Sequence, residues 1–273
     1  MTSWNLIYQN FDRVAFSIAG FSVYWYGLAY AGALIIGLWA VGYFIKKDKY
    51  PISSKLLESF FIYAEIGIIL GARIGYILIY DTNTLFYLSH PWEIFNPFVN
   101  GKFVGISGMS YHGAVVGFIL GSYLCALRHK KSFLMLMDSA AIALPLGYIL
   151  GRIGNFLNHE LTGRETSLPI GILVNDKLVH PSQLYEAFLE GFCVFIILFL
   201  MRRKVQFQGE LIGFYMLFYS IARFVCEFFR EADAQMGYFY GLSAGQILSI
   251  ITLFIAIIFI FIARKRAVKK LQL

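Results

Sequence analysis

Three arginines, Arg73, Arg152 and Arg223, lie inside long apolar runs of this 273-residue chain. A guanidinium in the middle of a bilayer costs about 2.5–3.5 kcal/mol on insertion scales, so such residues normally face a bundle interior and hold a partner. Carboxylates stand beside them at helical spacing. Arg223, Glu227 and Arg230 fall at i, i+4 and i+7, one stripe of a helix, and Glu186 and Glu190 share a face in the same way. A planar guanidinium offers two parallel hydrogen bonds to an oxyanion, so this set suits a phosphate group. His112 is the kind of side chain most readily used as a base near neutral pH, and the small Gly113, Ala114 and Gly117 after it admit a close backbone or lipid. Each has a plainer reading. The arginines could be ion pairs that fix helix packing, and His112 an interfacial histidine. His180-Pro181-Ser182 could simply cap the next helix, and Tyr24-Trp25-Tyr26 could be an aromatic belt. Glu65, deeper in its run, is expected to pair with another polar group.

The elements that carry these residues follow from composition. Residues are 59% hydrophobic and only 14% charged, where a soluble domain has roughly 25% charged. That excludes disorder, a nucleic-acid-binding module and an ordinary cytosolic enzyme. It predicts an all-α membrane protein. Apolar runs near 21–45, 57–80, 109–127, 134–156, 182–201, 210–229 and 244–263 are each long enough for a spanning helix of about 20 residues. The expected architecture is one domain, residues 1–273, a bundle of about seven transmembrane helices.

Charge gives the sidedness. Fifteen of the 23 Lys and Arg residues fall in segments 46–55, 128–133, 202–204 and 264–273, which are alternate connections. The positive-inside rule then puts the N-terminus outside and the C-terminus in the cytoplasm. The net charge of +7 is mostly accounted for by topology and needs no nucleic acid. The outer segments 81–107 and 157–181 become small extracytoplasmic loop regions. The first, with Trp92, Phe95, Phe98, Phe103 and an Asn100-Gly101 turn signal, fits an interfacial hairpin. In this frame Arg73, Arg152, Arg223, Glu227, Arg230, His112, Gln183, Tyr185, Glu186 and Glu190 all lie toward the outer leaflet. Chance snorkelling would scatter them over both sides. Phospholipid supplies the phosphate at that depth, so a headgroup site is the reading from the residues alone.

No metal site or cofactor is expected. Cys125, Cys193 and Cys226 sit in apolar runs with no C-x-x-C spacing. A transporter is the main alternative, although transporters place charge near the midplane on broken helices. A retinal receptor would need a lysine within a span, and a metal-dependent phosphotransferase would need clustered aspartates. Only Asp138 falls in a predicted span.

The run Gly151-Arg152-Ile153-Gly154-Asn155-Phe156-Leu157-Asn158-His159-Glu160-Leu161-Thr162-Gly163 resembles the signature of bacterial prolipoprotein diacylglyceryl transferases, G-R-x-G-N-F-x-N-x-E-x-x-G. Trp25-Tyr26-Gly27, the segment Gly71–Tyr76, Tyr111-His112-Gly113, the segment His180–Glu186 and the segment Arg223–Arg230 are similar to the same family in the same order. Ala114 stands where the family's His-Gly-Gly run usually has glycine. The resemblance implies a multi-pass enzyme of the bacterial inner membrane. Its reaction would move the diacylglyceryl group of phosphatidylglycerol to the lipobox cysteine thiol of a prolipoprotein signal peptide, with release of glycerol phosphate. By that pattern Arg152 and Arg223 would bind phosphate and stabilise charge, and His112 would be base or positioning residue. Tyr26, Arg73, Asn155, Asn158, Glu160, Arg164, His180, Glu186, Glu227 and Arg230 would bind or order the substrates, with Glu160, Glu186 and Glu227 orienting arginines or accepting the thiol proton.

Overall fold

The computed structural model describes residues 2–18, 21–99, 101–103, 108–231 and 238–271. The chain forms two compact units, Met1–Tyr50 with Asp138–Leu273, and Pro51–Met137. In chain order, α1 (Ile7–Asn10) and the hairpin β1 (Val14–Ile18) and β2 (Phe21–Tyr24) precede α2 (Trp25–Lys47). Then come α3 (Ser54–Ile79), α4 (Thr84–Ser89), a 3-10 turn Pro91–Phe95, and the short strands β3 (Phe98–Val99) and β4 (Lys102–Phe103). Helices α5 (Tyr111–His129), α6 (Phe133–Ala141) and α7 (Leu144–Leu157) lead to a second hairpin, β5 (Ile172–Val174) and β6 (Lys177–Val179). The next helix is composite: α8 (Ser182–Glu186), a π-helical turn Ala187–Cys193 and α9 (Val194–Met201). Last are α10 (Glu210–Cys226), the hairpin β7 (Tyr238–Phe239) and β8 (Leu242–Ser243), and α11 (Ala244–Leu271).

Each expected apolar run contains helix, the first only from Trp25 and the fourth in two pieces. Among the described residues four helices are long and apolar enough to cross a membrane: Trp25–Lys47, Ser54–Ile79, Ser182–Met201 and Ala244–Arg266. A fifth is broken. Phe133–Ala141 and Leu144–Leu157 meet at 50°, where Pro145 in the first turn of α7 lacks the amide that would continue α6. Side chains such as Ile35 and Phe261, both more than 60% exposed, leave these helices with bare apolar faces that suit lipid rather than water. The first helix begins at Trp25 rather than residue 21, because Phe21–Tyr24 pairs with β1. The 81–107 segment does contain a hairpin, β3 with β4, but also α4 and the 3-10 turn. Asn100 of its turn signal lies outside the described residues. Among the described residues Glu65 has no hydrogen bond or ion pair, so its expected partner is not found.

In the Pro51–Met137 unit, α3 and α5 pack through glycine. Gly67, Gly71 and Gly75 face Gly113, Gly117 and Gly121, and a Cβ on Gly71 would stand 2.8 Å from the Gly117 Cα. Four-residue spacing puts each set on one stripe, which lets the backbones approach. Ser53 and Ser110 cap these helices, accepting from Leu56 N at 3.2 Å and Gly113 N at 3.1 Å.

In the other unit α2 packs on α7, and α10 on α11. Asp138 caps the start of α10, accepting the amides of Gly209 at 2.6 Å and Ile212 at 2.9 Å. Beyond the helix ends, Phe156, Ile172 and Val179 form a small core with Trp4, Ile7 and Tyr8 packed against it. Asn5 and Trp4 tie it together through the carbonyls of Gly171 and Ile170, at 2.6 and 2.7 Å.

Candidate active site

The charged residues of α7, α8 and α10 converge within the larger unit. Arg152 Nε lies 3.1 Å from Glu186 Oε2, an ion pair, and its Nη1 donates to Asn155 Oδ1 at 3.3 Å. Arg223 Nη1 reaches the same Glu186 oxygen at 3.0 Å and Glu190 Oε1 at 3.5 Å, while Nη2 bonds Glu227. Arg230 Nη1 lies 3.5 Å from Glu227 Oε1, and Ser243 Oγ donates to Glu227 Oε2 at 2.5 Å. A Cβ at Gly245 would run into the Glu227 carboxyl, so a side chain there would have to displace that carboxyl. Glu186 and Glu190 are fully buried and Glu227 nearly so. Buried ions at this density persist only because each carboxylate has a guanidinium.

Bonding capacity is left over. Glu186 Oε1 is buried and has no hydrogen-bond partner. Among the described residues, Arg152 Nη2 and Arg223 Nε likewise make no hydrogen bond. The donors left on the two guanidiniums match a phosphate oxyanion.

Local structure explains the convergence. The π turn Ala187–Cys193 carries Glu190 beside Glu186, and π turns are frequent at functional sites. Gly191 in that turn lies against Pro145 and Ile149, which brings the carboxylates to α7. After α7 the chain doubles back through His159 and Leu161, both left-handed at φ +59° and +55°. Non-glycine residues rarely adopt this conformation, and they cluster at functional sites. The reversal lets Glu160 N donate to Asn155 O at 3.0 Å. The Glu160 carboxylate takes Asn158 Nδ2, and Asn155 Nδ2 at 3.4 Å. Gln183 fixes the turn through Glu160 O. Tyr26, in the first turn of α2, packs on Gly154.

The other expected site residues lie outside this ion cluster. Arg164 Nε donates to Arg230 O at 2.8 Å and Nη2 to Glu227 O at 3.1 Å, so it braces the turn after α10. His180 is wedged between Tyr185 and Phe229, with Nδ1 3.2 Å from the Tyr185 hydroxyl. Burial pushes the His180 pKa below the ordinary histidine value, and burial together with Arg13 does the same for His159. Arg73 and His112 belong to the smaller unit. Arg73 Nε donates to Ile94 O at 2.5 Å and Nη1 to Gly108 O at 3.2 Å. His112 is exposed in the first turn of α5, edge-on to Tyr111.

Tyr148 and Ser243 join the network without having been singled out, and Glu190 was singled out by its spacing, with no site role assigned. Glu190 carried the one available signal, its spacing from Glu186. An aromatic in an apolar run, like Tyr148, reads as core.

A family model described as prolipoprotein diacylglyceryl transferase matches residues 13–262. The chain is similar to phosphatidylglycerol–prolipoprotein diacylglyceryl transferases of three bacteria. It is 58% identical over 254 residues to that of Campylobacter hominis, covering 93% of this chain and 91% of the relative. The Campylobacter lari protein is 56% identical over 265 residues, covering 97% and 98%. The Wolinella succinogenes protein is 56% identical over 248 residues, covering 90% and 91%.

Proposed function

The chain belongs to the prolipoprotein diacylglyceryl transferase family, and from that premise we propose that it transfers the diacylglyceryl group of phosphatidylglycerol to the lipobox cysteine of prolipoprotein signal peptides. The observation that carries this is the pairing of Arg152 and Arg223 on one Glu186 oxygen, with a donor of each left uncommitted. The whole chain acts as a single transferase domain of the bacterial plasma membrane. It crosses that membrane with about seven helices, the N-terminus outside and the C-terminus in the cytoplasm. The segments 81–107 and 157–181 then face outward, and the arginine cluster sits at headgroup depth.

The chemistry makes one bond and breaks one. The acceptor's S–H loses its proton to a base, because the thiolate is the nucleophile. Sulfur attacks the glycerol carbon of the diacylglyceryl group, the C–O bond to phosphorus breaks, and glycerol 1-phosphate leaves with that electron pair. The proton ends on the departing phosphate or in water. Arg152 and Arg223 hold the phosphate and stabilise the charge that grows as it leaves, in a site of low dielectric. Asn155, Asn158 and Glu160 order the headgroup side of the site, with Tyr26 beside them. Glu186, Glu227 and Arg230 fix the two central guanidiniums, and Arg164 and His180 hold the turn that presents them. In the smaller unit His112 is the proposed base, by the family's pattern, and Arg73 a further contact to substrate. The reaction as written uses no cofactor.

The test is a transfer assay. Purified protein, phosphatidylglycerol and a synthetic lipobox peptide should give a peptide heavier by one diacylglyceryl group, linked to cysteine, by mass spectrometry. Arg152→Ala and a Cys→Ser peptide should each abolish the product. No product, with phosphatidylglycerol still bound, would leave a phospholipid-binding bundle or a transporter instead.

A further inference from the structure

Among the described residues Arg152, Arg223 and Arg230 face Glu186, Glu190 and Glu227. A phosphodiester anion entering this cluster competes with carboxylates for the same guanidiniums. Affinity for it therefore depends on what keeps those carboxylates from closing over the arginines.

Tyr148 stands where that control is exerted. It lies on α7 four residues before Arg152, on the same face. Its hydroxyl donates to Glu190 Oε2 at 2.5 Å and lies 3.4 Å from Glu186 Oε2. Its ring lies 4.8 Å from the Arg152 Cζ, a cation–π approach, and Tyr219 meets it edge-on at 5.7 Å and fixes the ring plane. The hydroxyl thus occupies the Glu190 oxygen that would otherwise turn toward a guanidinium. Among the described residues Glu190 makes no ion pair with Arg152, and it meets Arg223 only at 3.5 Å. We propose that Tyr148 is a positioning residue that sets the anion affinity of the site by restraining Glu190, while its ring packs on Arg152. The proposal rests on the phosphate-binding reading above.

The test pairs Tyr148→Phe, which keeps the ring and deletes the hydroxyl, with Glu190→Gln. Tyr148→Phe should raise the KM for phosphatidylglycerol about tenfold, the scale of one hydrogen bond to a charged group, with kcat changed far less. Glu190→Gln alone should lower that KM. In the Glu190→Gln background Tyr148→Phe should cost little, because the charge it restrains is gone. Thermal unfolding of each variant in detergent excludes misfolding, and if Tyr148→Phe does not fold, the direction of the Glu190→Gln effect still decides. A kcat loss at constant KM, equal effects of Tyr148→Phe in both backgrounds, or a raised KM for Glu190→Gln would each overturn the proposal. Native mass spectrometry of phosphatidylglycerol retained from mixed phosphatidylglycerol–phosphatidylcholine nanodiscs gives the same comparison without chemistry. Failure of wild-type transfer with a Tyr148-dependent lipid count would overturn the reaction and keep this inference.

Discussion

The two ends of the larger unit both bury charge, and they use it differently. Where α2 and α9 end, Arg202 pairs with Asp48 at 2.9 Å and stacks over Phe199 at 4.0 Å, while its Nη1 bonds the Phe199 carbonyl. Asp138 accepts two backbone amides of the α10 start, and Glu210 takes Arg264 at 3.0 Å and the Gln206 amide at 2.7 Å. These groups close helix ends. At the opposite end, where α7 and α10 finish and α8 begins, Arg152, Arg223, Glu186, Glu190 and Glu227 bond mainly one another. Asp48 Oδ1 also lacks a hydrogen bond, but Arg203 Nε stands 3.6 Å from it. Glu186 Oε1 likewise has no hydrogen-bond partner. Burial of charge is therefore common to a brace and a site. The site differs in that its charges bond one another across three helices instead of closing helix ends.

That contrast is broken most directly at Arg223, which reaches three carboxylates. Arg223→Ala should lower transfer by at least 100- to 1000-fold, the scale of losing one group that stabilises transition-state charge. It should also destabilise the fold, because the carboxylates it leaves are buried. Arg223→Lys should recover little, since an ammonium cannot span the same oxygens. Mass spectrometry of the lipidated peptide, normalised to folded protein, reads this. At the other end Arg202→Ala should cost about 3–5 kcal/mol of stability, the scale for breaking a buried pair. Turnover per folded molecule should stay within a few-fold of the parent. A folded Arg202→Ala protein without activity would end the distinction between brace and site.

Much of the active end can be read from spacing. The stripe Arg223, Glu227, Arg230 and the pair Glu186, Glu190 are helical offsets, and the structure ties both to one guanidinium. The helical runs follow from apolar length alone. Other features leave no such trace. Tyr148 is an aromatic among apolar residues, and only the packing of α7 on the π turn turns its hydroxyl to Glu190. The π turn itself depends on how Gly191 seats on α7, a tertiary cause. Arg164 is a cation in a long polar segment, and its spacing gives no sign that its donors reach Glu227 O and Arg230 O. The β1–β2 hairpin was hidden because Phe21–Tyr24 is as apolar as the helix it precedes.

The smaller unit sharpens the comparison with a brace that uses no charge. Gly117 sits against Gly67 and Gly71 so closely that an added Cβ would stand 2.7 Å from the Gly67 carbonyl carbon. Gly117→Ala should force α3 and α5 apart at about 1–3 kcal/mol, the usual cost of overpacking. The thermal midpoint should fall while phosphatidylglycerol binding at the arginine cluster persists. A midpoint at or above the parent's would mean that the two helices separate without penalty.

The smallest expected effect is on pH, and it tests whether His180 belongs to the frame. Its pKa is lowered below 6.5 by burial against Tyr185 and Phe229. The unfolded chain therefore binds a proton at a higher pH than the folded one does. Stability from the neutral ring is fully present above about pH 6.5 and is lost as pH falls through the depressed folded value. Burial and Arg13 lower His159 in the same direction, so both histidines contribute to one slope. The thermal midpoint in detergent should decline between pH 7 and 5, and His180→Asn should flatten part of that decline. Transfer by the folded variant above pH 7 should change much less than for Arg223→Ala, because the His180 backbone pairs with Gly163 and Arg164 whatever the side chain. A midpoint of the variant that tracks the parent at every pH would remove the ring from the frame. A transfer defect with an unchanged midpoint would move His180 from brace to site.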